Sequence, residues 1–151
     1  MANTSENSVL EQIDQHELQH LITVSTGFID AYMIQCYQKV PMLLPQNIVL
    51  SAMDTSTDVE YIEWHDLKLP VYAVNDPAKK QGVALVIEGD DVSERFALIC
   101  NEMPDSIRLR ISEIVDEECE ITDDKVFKYV KMGEKQFYIP HLQNIQTQLG
   151  L

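Results

Sequence analysis

The chain has 151 residues, 45% hydrophobic and 24% charged, which is enough apolar side chain for a real core and too much for a disordered segment. Its formal net charge is −14, from 25 acidic and 11 basic residues, and its densest basic spots, Lys79-Lys80 and Arg108/Arg110, sit among acids. Phosphate backbones and anionic headgroups are held by clustered Lys and Arg, so nucleic acid and an anionic membrane surface are disfavoured as partners and basic protein surfaces are favoured.

Residues 1–7 read as a polar tail, and residues 8–23 as a helix with Leu10, Ile13, Glu17 and Leu21 in line and Leu18 beside them. Ser8 and Glu11 fit a capping box at its start. This N-terminus lacks the basic flank and apolar core of a secretion signal, and no window holds ~18 consecutive apolar residues. The expected compartment is therefore the cytoplasm, with no insertion into a membrane. Gly27 closes this N-terminal part, and a β-rich unit is expected over 27–151.

From Gly27 onward the period changes. Residues 28–37 suit a strand, and 42–53 a short strand, an irregularity at Pro45 and a second strand. Residues 54–60 read as a polar loop. Trp64, His65 and Asp66 fall where two strands should meet, ahead of a well-buried strand over 67–74. Pro70 has no N–H for a ladder, which assigns it to an edge or bulge. Asn75-Asp76-Pro77 is a turn signal. Residues 83–88 and 95–101 read as a strand pair joined by Gly89-Asp90-Asp91. Residues 106–111 alternate, with Ile107, Leu109 and Ile111 inward and Arg108 and Arg110 outward. Residues 112–124 carry seven acids and read as a solvated loop, without the spacing of a calcium site. A hairpin across Gly133-Glu134 follows, then a short helix with Leu142, Ile145 and Leu149 on one face. Many short strands at this spacing predict a small sandwich or barrel.

The sharpest chemical motif is His16-Glu17-Leu18-Gln19-His20, the H-E-x-x-H pattern. On a helix, the two imidazoles lie one turn apart on one face, suited to zinc, with Glu17 as general base toward a metal-bound water. A small zinc-dependent hydrolase is therefore the alternative reading. Against it, only 15 residues precede the motif, its surroundings are polar, and no helix bearing a third ligand follows Gly27. The imidazoles are more simply read as decorating an exposed helix, so no metal or other cofactor is expected. No G-x-S-x-G, phosphate-cradling or dinucleotide-binding glycine pattern occurs. Cys36, Cys100 and Cys119 are an odd, scattered set without C-x-x-C spacing and read as buried free thiols that pack like small apolar groups. They form no patterned nucleophile pair with His65 or His141. Trp64, the sole tryptophan, reads either as an aromatic closing a barrel or as an interface anchor.

Four stretches in order, YMIQCYQKVPMLLPQNIVLSAM, EWHDLKLPVYAV, RFALICNEMPDSIRLRISEI and KMGEKQFYIPHLQNI, resemble the CheW-like adaptor domains of bacterial chemosensory systems. The resemblance covers residues 28–149. It implies a mainly β fold of two small five-stranded SH3-like barrels sharing an apolar core. It also implies a non-catalytic scaffold that joins a methyl-accepting chemoreceptor to a histidine kinase of the CheA type. By position, Ile48 and Leu50 match the first-lobe binding strand. His65, Asp66, Pro70 and Val71 match the turn and strand near the groove between lobes. His65-Asp66 stands where the family has Arg-Gly. With Trp64 before it, this turn resembles the adaptors of pilus-linked (twitching motility) systems.

Overall fold

The computed structural model describes residues 27–151; the expected N-terminal helix and the motif at 16–20 lie outside the described residues. The strands are β1 (Phe28–Ile34), β2 (Met42–Pro45), β3 (Val49–Ser56), β4 (Tyr61–Trp64), β5 (Leu67–Ala73), β6 (Gln81–Ile87), β7 (Phe96–Cys100), β8 (Asp105–Arg110), β9 (Ile114–Glu117), β10 (Val126–Met132) and β11 (Lys135–Pro140), followed by helix α1 (Leu142–Gln148). They build two sheets, ordered β8-β1-β2-β11-β10-β9 and β3-β6-β7-β5-β4. The second sheet comes from one continuous stretch set between β2 and β8 of the first. Pairing is antiparallel except for β2 with β11 and β5 with β7.

Chain connectivity requires the first sheet to curl. β8 and β9 lie at its opposite edges, yet only a 3-10 turn, Ile111–Glu113, separates them. In a flat six-stranded sheet the edges stand about 24 Å apart at the ~4.8 Å strand spacing. Three linking residues reach at most ~14 Å. The sheet therefore closes into a half-barrel. Residues 57–60 link the edges β3 and β4 of the second sheet, which do not pair with one another. The first sheet has six strands where the resemblance implies five, because that 3-10 turn cuts residues 105–117 into two strands.

Three apolar clusters follow from strand alternation. In β6, Val83, Leu85 and Ile87 face a central core between the lobes, while Ala84 and Val86 face the interior of the second. In β7, Phe96, Leu98 and Cys100 face the centre, and Ala97 and Ile99 the second lobe. In β2, Met42 and Leu44 face the centre and Leu43 the first lobe. Strands lined on both faces read as unbroken apolar runs, and each large side chain so buried contributes roughly 1.5–3 kcal/mol. One backbone bond stitches the lobes, Tyr37 N–H to Val74 O at 2.9 Å, while Glu88 N–H to Ile48 O at 2.8 Å extends the β3–β6 ladder within the second sheet. Helix α1 inserts Ile145 into the central core, and His141 Nδ1 caps it by accepting from Asn144 N–H at 3.2 Å.

Several sequence expectations are corrected. β4 forms where the sequence suggested only the lead-in to a turn. β9 lies within the acidic stretch, where Asp116 meets Lys128 at 3.2 Å and Glu117 meets Lys131 at 3.9 Å, so lysines of β10 neutralise its carboxylates. Ile111 is exposed because the 3-10 turn ends the alternation of β8. β5 is internal to its sheet and only partly buried, with Leu69 its one fully buried residue. Pro70 fits there because the ladders change hands: residues 67–70 pair with β4, and the pairing with β7 begins at Val71. Val74 N–H donates to Ile99 O, so by alternation position 70 also faces β7, one residue before that ladder starts.

Candidate functional site: the turn between β4 and β5

His65 and Asp66 both have left-handed backbones, φ 50° and 65°, in the two-residue turn that joins β4 to β5. Two consecutive positive φ angles define the I′ geometry that matches strand twist, and Asn or Gly usually supply it. Asp tolerates this conformation through its short polar side chain; His is the more unusual occupant. The His65 ring stacks on Trp64, with centroids 4.0 Å apart and planes 20° from parallel. Arg95, entering β7, places its guanidinium 5.5 Å from the Trp64 centroid and pairs with Glu88 at 2.8 Å. A rigid aromatic is thus held between a turn residue and an anchored cation, half-buried and rimmed by polar groups.

The other predicted positions divide. Pro70 lies opposite Tyr61 in the hairpin. Val71 and Leu50, both half-buried, pack with Trp64 against the second-lobe core, so Leu50 sits on β3 of the second lobe and not on a first-lobe strand as the resemblance implied. Ile48, in contrast, is 2% exposed in the central core, so its side chain packs behind the start of β3 and offers no surface for contact. Beyond these, Tyr61 is 55% exposed on β4, with the Lys68 ammonium 5.6 Å from its ring. Tyr61, Glu63 and Arg95 were not among the sequence candidates. Period-2 alternation in Tyr61-Ile62-Glu63-Trp64 could have found the first two; Arg95 meets Trp64 only through the fold.

A cleft of about 490 Å³ opens between the lobes, lined by Tyr37, Lys39, Thr57, Asp58, Tyr72 and Asn75 among others. Lys39 and Asp123 form an ion pair beside it, and this hydrogen bond holds the Asp123 carboxyl below its ordinary value. Deeper in, Cys36 Sγ lies 3.4 Å from Tyr138 Oη. Burial raises both groups, and it pushes Cys100 up to about 12, so these two thiols behave as packing groups, whereas Cys119, expected to be buried with them, is exposed. Among the described residues, no three His, Cys, Asp or Glu side chains are grouped to hold a metal, and no helix is long and apolar enough to cross a membrane.

Two curled sheets sharing a core, with a short C-terminal helix, define a CheW-like two-lobed β fold. The structure superposes on the crystal structure of the scaffolding protein TtCheW from Thermoanaerobacter tengcongensis with a TM-score of 0.58 and 15% sequence identity, over 76% of this chain and 84% of that one. No family model and no curated protein matches the sequence.

Proposed function

We propose that this protein is a non-catalytic cytoplasmic scaffold that couples a methyl-accepting chemoreceptor to a CheA-type histidine kinase, in a pathway of the pilus-linked kind. The observation that carries the reading is the two-lobed fold shared with a CheW scaffolding protein. The turn between β4 and β5 supports it locally. Trp64, His65 and Asp66 form a rigid aromatic and polar projection, flanked by Leu50, Pro70 and Val71. Interfaces are anchored by such aromatics, and their truncation commonly costs 2 kcal/mol or more of binding, about thirtyfold in affinity.

The test is binding of purified kinase regulatory and receptor signalling fragments to the full chain. Wild type is expected to bind at least one fragment, Trp64→Ala to bind far more weakly, and the exposed Asp66→Asn, which tolerates the left-handed turn but removes the charge, to weaken binding while the melting temperature stays put. Wild type that binds neither fragment would remove the scaffold reading. Metal analysis addresses the hydrolase alternative: stoichiometric zinc in protein purified without added zinc, lost on His16→Ala, would replace it.

A further inference from the structure

We propose that the outer edge of β4 takes up an extended, basic segment of a partner protein as an added strand. This rests on the scaffold reading and specifies the chemistry of what docks beside the turn.

The backbone supplies the first argument. In a two-residue I′ hairpin, the pair flanking the turn, here Trp64 and Leu67, exchanges both hydrogen bonds, and pairs alternate from there. Ile62 and Leu69 are then the next bonded pair. Tyr61 and Glu63 consequently direct their N–H and C=O groups away from β5, toward the side where β4 ends its sheet. Native edges are normally blunted by bulges, prolines or lysines. β3 is bulged between Val49 and Ser51, β8 carries Arg108 and Arg110, and the β9 carboxylates are paired to lysines. β4 is short and carries one charge, Glu63, but has no bulge, proline or lysine, so its edge repels acidic strands and admits basic ones.

Side chains supply the occupant. Tyr61 and Glu63 share the exposed face of β4, while Ile62 and Trp64 turn toward the second-lobe core. Glu60, Glu63 and Asp66 are exposed, and Lys68 is the one Lys or Arg between Glu60 and Pro70. An added strand would place one set of its side chains beside Glu63, where Lys or Arg gains an ion pair, while the Tyr61 ring already carries the Lys68 ammonium. Its alternate side chains would lie on the apolar face. The fitting segment therefore alternates basic and apolar residues. A second copy of this chain fits poorly, because antiparallel pairing of two β4 strands brings like carboxylates together.

The test is amide exchange by NMR on the full chain, with the peptides acetyl-(Lys-Val)4-amide and acetyl-(Glu-Val)4-amide as probes. The lysine peptide is expected to slow exchange at Tyr61 and Glu63 by about tenfold or more, and the glutamate peptide to leave it unchanged. Glu63→Pro removes an outward N–H and no bond to β5, so it should abolish the protection with the rest of the spectrum intact. Should that variant misfold, the pair Glu60→Lys and Glu63→Lys should transfer the response to the glutamate peptide. Equal protection by both peptides, protection elsewhere, or amides already protected in the free protein would overturn the proposal. Receptor or kinase fragments that bind wild type and Glu63→Pro equally would sink the edge site and leave the scaffold reading standing. If no fragment binds, the scaffold reading fails, and the peptide result still decides the edge.

Discussion

Replacing Asp66 by Gly should make the protein more stable, and the size of the gain can be worked from the turn. At φ 65° the Asp66 Cβ crowds the backbone, at a cost of roughly 1–2 kcal/mol for an L residue, with Asp at the low end. Gly removes that crowding but frees the unfolded chain, which costs about 0.5–1 kcal/mol. The first effect equals or slightly exceeds the second, leaving a net gain of at most about 0.5 kcal/mol. For a chain of this length, that is a rise of at most roughly 2 °C in melting temperature. Asp66→Ala keeps the Cβ and loses the tolerance Asp has for this conformation, so it should fall below wild type. The order Gly, Asp, Ala, measured by urea and thermal unfolding with an unchanged m-value, is the signature. A glycine variant less stable than wild type, or an alanine variant equal to it, would refute the left-handed turn on which the candidate site is built. If the turn is strained because it serves recognition, the glycine variant should also bind partner fragments less well, through a more mobile Trp64 platform.

Gly82→Ala should destabilise by about 1–3 kcal/mol, because its Cβ would stand 2.4 Å from the Cys100 carbonyl oxygen, a backbone atom that can yield only by moving β7; chemical denaturation measures the loss. Thiol titration of the native protein should find Cys119 reactive and Cys36 and Cys100 protected, all three reacting after unfolding; fast native reaction at all three would mean the central core is open. The folded-state pKa of Asp123 lies below its ordinary value of 3.8, so its contribution to stability is complete above that pH and lost as the pH falls through the folded value. Lys39→Met should flatten the acid limb of the stability curve, and an unchanged limb would show that the pair does not persist in solution.

Much of the fold was legible because its signals are local. Alternation, together with punctuation at Gly27, Pro45, Asn75-Asp76-Pro77 and Gly133, marks β1, β2, β3, β6, β7, β8, β10, β11 and α1 within a residue or a few of their ends. The same pattern placed Trp64, His65 and Asp66 at a strand junction before any coordinates. β4 and β9 were missed because each is short and half polar; an edge strand with one wet face looks like a loop until a neighbour's hydrogen bonds define it.

Three things were decided by tertiary structure. Ile48 faces inward because the 3-10 turn Gln46–Ile48 breaks the period, so counting along the chain cannot say which face it takes. β6 and β7 are apolar on both faces, so their sequence predicts burial but not which residues face which core; the stacking of two sheets decides that. The clamp on Trp64 joins residues about thirty positions apart, through Arg95 and its partner Glu88. Spacing along the chain carries what neighbouring residues do to one another; contacts made by closing long loops depend on how the sheets curl, and no local pattern encodes that.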